Sequence, residues 1–123
     1  MESKKTIFNF FFDLELNIQM YHWFTLSYAR HNGSDKLFKN SLETIDKFIE
    51  VYIGHYGRPN ISKESITIKR MSDDEIIIYL KKTIDFLNNQ IFKFISKNDT
   101  DLLNIRDELV AQINQTIYLF TLS

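Results

Sequence analysis

One histidine and three acidic residues, His31, Asp35, Asp46 and Glu50, stand four, eleven and four residues apart. On a helix turning about 100° per residue they fall at roughly 0°, 40°, 60° and 100°, a single stripe along one face. Imidazole and carboxylate are donors that first-row divalent metals accept, so the stripe is a candidate row of metal ligands. The competing reading is a solvated face, because Asp35 with Lys39 and Glu43 with Lys47 also make ordinary i, i+4 ion pairs, each contributing a few tenths of a kcal/mol.

The spacing sets a geometric condition on the metal reading. His31 with Asp35 can hold two positions on an ion, and so can Asp46 with Glu50. Between Asp35 and Asp46, however, lies a helical rise of about 16 Å, against metal bonds of about 2 Å. One chain cannot close both pairs on one ion, whereas two chains can. If this helix packs antiparallel on its own copy across a two-fold axis, His31 and Asp35 of one subunit meet Asp46 and Glu50 of the other, and the contact occurs twice per dimer. The expected partner is thus a second copy, in a homodimer or larger homo-oligomer joined through the second helix. The donor set suits non-haem iron, with manganese or zinc as alternatives.

Other chemistries find no support. Three residues before His22, His31 and His55 stand Gln19, Tyr28 and Tyr52, so the Glu-x-x-His pairs of an internal di-iron bundle are missing. There is no glycine-rich phosphate loop and no His-Glu-x-x-His zinc motif. The absence of cysteine removes disulfides, thiolate metal sites and cysteine nucleophiles together. A formal net charge of -1 gives no basic footprint for phosphates, so nucleic acid is not an expected ligand. No apolar run approaches the roughly 20 residues of a membrane span, and no charged leader with a small-residue cleavage site precedes the first helix. The expectation is a soluble protein of the cytoplasm.

Positioning the stripe falls to a chain of 123 residues with three glycines and one proline, which favours a few long helices in one domain, residues 1–123. In the first segment FDLELNIQM alternates like a strand, but Ile7, Phe11, Leu14, Ile18 and Tyr21 keep helical spacing, and a lone strand has nothing to pair with. The segment is read as a helix, ending either at Asn32–Ser34 or at Thr25–Ser27 with Ser27 as the next N-cap. The second helix carries the stripe and ends within 54–59. GRPNISKESITIKRM is expected to loop across one end of a bundle. Ser72 and Glu75 form a capping box for a third helix over SDDEIIIYLKKTIDFLNNQIFKFISKND, whose Ile77, Leu80, Ile84, Leu87, Ile91 and Phe94 keep helical steps. Leu102, Ile105, Leu109, Ile113, Ile117 and Phe120 mark a fourth helix, antiparallel to the third across a tight connection at Lys97–Asp101. The fold class is all-α, an antiparallel four-helix bundle, and His55 is read as structural.

The order His22-Trp23, then His31-x-x-x-Asp35, then Asp46-x-x-x-Glu50 and a closing glycine resembles the Dps mini-ferritins, and RDELVAQINQTIYLFTL resembles their last helix. That resemblance implies a ferritin-like fold and an iron-oxidising site shared between two subunits, with His22, His31, Asp35, Asp46 and Glu50 at the matching positions and ferroxidase activity as the reaction. The nine residues from His22 to His31 are fewer than that family's usual gap, which makes His22 a peripheral ligand or a route for electrons and protons. The loop between the second and third helices is also shorter, and the basic tail with which some members hold DNA is missing. YHWFTLSYARHNGSD and YGRP also resemble an uncharacterised family encoded by large DNA viruses of algae and amoebae, and the scarcity of alanine, Ala29 and Ala111 alone, suits an AT-rich genome. That second resemblance implies a place in the host cytoplasm or the virion. It leaves open the alternative of a metal-free ferritin-like bundle with a structural or interaction role.

Overall fold

The computed structural model describes residues 3–123. Four helices account for most of it: α1 over Lys4–Phe24, α2 over Tyr28–Tyr56, α3 over Asp73–Asn88 and α4 over Thr100–Phe120. The helical spacing in the first segment prevails over its alternation. Ile7, Phe11, Leu14, Ile18 and Tyr21 are all buried, while Phe12 and Leu16, two of the alternating apolar positions, are exposed.

Side-chain pairings fix the arrangement. The turn at 25–27 folds α2 back on α1, and at the far end Lys4 Nζ reaches the Tyr56 carbonyl. α4 runs antiparallel to α2, from His55 on Asp101, through Gln112 on Thr44, to Phe120 beneath Gly33. α3 closes the ring against α1, where Phe10 and Phe86 stack at 3.9 Å, Tyr79 donates to Asp13 and Tyr21 donates to Asp73 at 2.6 Å. The neighbours around the ring are therefore α1, α2, α4 and α3, each antiparallel to the next. α2 and α3 lie diagonally opposite and point the same way.

That diagonal determines the course of residues 57–72. The segment does not cross one end of the bundle; it runs the bundle's length along α1, because parallel helices have their facing termini at opposite ends. Asn9 donates to Glu64 at 2.8 Å. Asn17, 2% exposed, donates to the Thr67 carbonyl at 3.2 Å and accepts from the Lys69 amide at 2.9 Å. A buried amide can satisfy both a backbone donor and a backbone acceptor, which is what an extended strap without its own secondary structure needs.

Of the two breaks the sequence leaves open between α1 and α2, the one at 25–27 is realised, and the end of α3 differs from the expectation. Ser27 is the N-cap of α2, accepting from the Arg30 amide, so Asn32-Gly33-Ser34 lies inside the helix. Gly33 serves packing there, since a Cβ would stand 3.2 Å from the Phe120 ring. α3 stops at Asn88 instead of continuing toward Asp99. Asn89 leaves helical geometry, its side chain donates back to Asp85, and the Arg106 guanidinium takes the freed Leu87 carbonyl. One turn of 3-10 helix, Gln90–Lys93, follows, and Ile91, Phe94 and Ile95 stay buried without a continuous α-helix. The capping box at Ser72 and Glu75 is present.

Candidate metal centre

The stripe lies on α2 where its outward surface borders α1. His31, Asp46 and Glu50 are exposed and Asp35 is half-buried. The short turn brings the last turn of α1 beside the first of α2, and this places His22 directly against His31. Their rings stack at 4.0 Å, 21° from parallel.

The stacked pair is locked by its own backbone. His22 Nδ1 lies 2.8 Å from the His31 carbonyl and His31 Nδ1 lies 3.0 Å from the His22 carbonyl. A carbonyl can only accept, so both rings carry their proton on Nδ1. Ser34 Oγ, itself donating to the His31 carbonyl, lies 3.2 Å from His22 Nδ1. Neither Nε2 has a hydrogen-bond partner among the described residues. In its neutral form, an imidazole whose Nδ1–H is held by a carbonyl presents its other nitrogen as a lone pair in a fixed direction, which is the usual support of a metal-ligating histidine. The nine-residue gap, expected to leave His22 peripheral, instead makes the two rings neighbours.

Asp35 pairs with Lys39 at 2.9 Å. That hydrogen bond holds its carboxyl below the usual range, and the charges of Lys39, His22 and His31 add to the effect. Asp46 faces a groove of about 280 Å³ between α1 and α2. Across it stands Glu15, half-buried among Phe8, Phe12 and Leu42. Burial raises the Glu15 carboxyl and the nearby Asp46 carboxylate raises it further. Sequence reasoning missed Glu15. The available signal was its place seven residues before His22, two turns down the same face of α1.

The five candidate residues thus divide into two groups on one subunit. His22, His31 and Asp35 gather at one end of the stripe; Asp46 and Glu50, with Glu15 added, mark the other. Among the described residues, no group of three or more His, Asp or Glu side chains within one chain is placed to hold a metal ion.

Two further surfaces stand out. At the α1–α2 corner Trp23 is 65% exposed, Leu26 101% and Tyr28 79%. At the opposite end His55 Nε2 contacts Asp101 at 2.8 Å and Nδ1 lies 3.7 Å from Asp99. The hydrogen bond to Asp101 raises the His55 pKa despite some desolvation. His55 accordingly ties the end of α2 to the start of α4. No helix among the described residues is long and apolar enough to cross a membrane.

Comparison with known proteins gives a family and one relative. The profile described as a family of unknown function, DUF5856, matches residues 22–120. A protein of Enterobacteria phage T4 described as an "Uncharacterized 14.6 kDa protein in mobD-ri intergenic region" is 31% identical over 104 residues, covering 82% of this chain and 74% of the phage protein. No solved structure matches the chain. The phage relative agrees with a virus-encoded family.

Proposed function

The chain belongs to the family of unknown function DUF5856, and beyond that membership we propose that it is a ferritin-like bundle that takes ferrous iron as its substrate at two sites shared between paired subunits. Ferritin-like folds are four-helix bundles with one long crossover connection, and the strap at 57–72 joining parallel α2 and α3 supports that assignment. His31 and Asp35 with His22 come from one subunit, Asp46 and Glu50 from the other. The setting is the cytoplasm of an infected host or the virus particle, in the line of the large DNA viruses of algae and amoebae.

One observation carries the reading: His22 and His31 hold each other's Nδ1–H on main-chain carbonyls, which aims both Nε2 atoms outward from one corner. A solvated histidine needs no such fixing. The mixed donor set also fits ferrous iron better than a hard cation such as calcium or magnesium, which takes oxygen ligands alone. With peroxide as oxidant, two ferrous ions each lose one electron, the O–O bond breaks, and two protons complete two water molecules. With oxygen as oxidant, the same residues bind the same substrate.

The deciding experiment is anaerobic titration with ferrous iron, then admission of oxygen or peroxide while ferric absorbance is recorded. Saturation at one or two irons per chain, with oxidation faster than in buffer, is the expected result. Binding that never saturates, with oxidation at the buffer rate, refutes the proposal.

A second reading is favoured by the exposed corner of Trp23, Leu26 and Tyr28. Aromatic residues presented on a rigid turn are typical anchors of protein contacts. On that reading the bundle is metal-free and serves as a structural or interaction protein of the virus.

A further inference from the structure

We propose that His55 is a pH-operated clasp: charged, it fastens the end of α2 to the start of α4, and neutral, it lets that end of the bundle and the first residues of the strap, 57–63, loosen. The clasp is independent of the metal reading and lies at the other end of α2 from His31.

Both ring nitrogens of His55 face a carboxylate. Nε2 lies 3.0 and 2.8 Å from the two oxygens of Asp101, and Nδ1 lies 3.7 Å from Asp99. A neutral imidazole carries one N–H, so either tautomer turns a lone pair toward one of these anions. Only the imidazolium, a donor at both nitrogens, matches the arrangement. The hydrogen bond to Asp101, helped by the charges of Asp101 and Asp99, accordingly holds the His55 pKa above its ordinary value against some desolvation.

The groups around the ring cannot replace the lost proton. Asp99 has a side chain only 13% exposed and is held by the Tyr56 hydroxyl and, at 2.8 Å, by the Ser96 amide, so it cannot turn out to water. The Tyr56 phenol stays protonated, because burial and the bond it gives Asp99 push it above its ordinary value. From α1, Lys4 reaches the Tyr56 carbonyl and forms no ion pair with either aspartate. Within this cluster of described residues His55 is therefore the group that titrates near neutral pH.

The chain on either side defines what the clasp governs. Gly57 turns the backbone out of α2 at φ +82°, and among the described residues 58–63 make no hydrogen bond before Asn9 takes hold of Glu64. On the other side Asp99 and Asp101 open α4, where the Leu103 amide donates to the Asp99 carbonyl at 3.0 Å. With His55 neutral, Tyr56 alone ties the two helix ends across this junction.

Amide exchange of the full chain by NMR, read as protection factors at a series of pH values, tests the clasp while the His55 ring is titrated in the same samples. Gly57, whose N–H bonds the Ile53 carbonyl, and Leu103 report its two sides. Both are expected to exchange by local opening, with less protection than Phe48 and Ile113, which are buried in mid-helix. As pH rises through the His55 midpoint their protection is expected to fall roughly two- to tenfold, the range for losing one partly exposed, charge-assisted hydrogen bond. Ile76, bonded to the Ser72 carbonyl at the opposite end of the bundle, should show no such step. His55→Gln keeps a donor for Asp101 but never charges, and it should abolish the step; Asp101→Asn, which leaves the imidazole in place, should shrink it below roughly twofold. The proposal is overturned if Gly57 and Leu103 show no step at the His55 midpoint, if they open only together with Phe48 and Ile113, or if the step survives in His55→Gln.

Discussion

Asn17→Ala tests whether one buried amide sets the path of the chain between α2 and α3. The side chain makes three hydrogen bonds, and they are unequal. That to the Asp13 carbonyl, 2.9 Å away and four residues back, doubles up on an acceptor already used by the helix and contributes little. The bonds to Thr67 and Lys69 hold the strap, and at about 0.5–1.5 kcal/mol apiece they are worth roughly 1–3 kcal/mol together. Thr67 and Lys69 are exposed, so water recovers their backbone groups once the strap lifts, and the lower half of that range is expected. A loss of 1–2 kcal/mol is a factor of about 5–30 in a local opening equilibrium. The assay is amide hydrogen exchange at Lys69 alongside urea unfolding. Asn17→Leu serves as a companion that restores volume without hydrogen bonding, and it should release Lys69 as fully as alanine does. Unchanged Lys69 exchange in Asn17→Ala would refute the reasoning, because the strap would then be held by something other than Asn17.

The remaining predictions concern the site, the backbone and pH. Glu50 is exposed and has no hydrogen bond or ion pair among the described residues, so Glu50→Ala should abolish ferrous iron binding while changing the unfolding free energy in urea by less than about 0.5 kcal/mol; iron binding that survives unchanged removes Glu50 from the ligand set. Gly57 ends α2 at φ +82°, so Gly57→Ala should cost about 1–3 kcal/mol. Gly54, helical and with open space where a Cβ would go, should gain about 0.8–1 kcal/mol on replacement by alanine. Urea unfolding of the two alanine variants should move their midpoints in opposite directions. Because Asp101 raises the folded-state pKa of His55, its contribution to stability is complete below the ordinary histidine value of about 6.5 and is lost as pH rises through the raised value. An NMR titration of His55 should show that raised midpoint, and Asp101→Asn should return it toward the ordinary value.

The helices were legible because each carries its apolar residues at helical steps, and burial of Ile7, Phe11, Leu14, Ile18 and Tyr21 follows from that spacing alone. The places where reading failed or stayed open are those where a distant residue overrides a local signal. Asn32-Gly33-Ser34 has turn chemistry, yet the glycine lies within a helix because Phe120, far along the chain, needs the room. The run from Asn88 to Gln90 stops α3, but apolar spacing continues beyond it, since a 3-10 turn also turns Ile91 and Phe94 inward. The strap was misplaced because its anchor on Asn17 looks in sequence like any polar position on an amphipathic helix. The candidate site divides along the same line. The α2 stripe was legible, being a property of one helix. His22 on His31 and Glu15 beside Asp46 depend on how two helices pair, and periodicity fixes the face of a helix but not its register. From Lys4 to Glu15 the register is regular: Lys4 meets Tyr56, Phe8 meets Tyr52, Phe11 meets Phe48 and Glu15 meets Asp46, so over that stretch each turn up α1 answers a turn down α2. Any one of those contacts, known in advance, would have placed Glu15 beside the stripe. The chemistry of this surface therefore belongs to the α1–α2 hairpin as a unit, and substitutions in the turn at 25–27 that slide one helix along the other should disturb both ends of the stripe together.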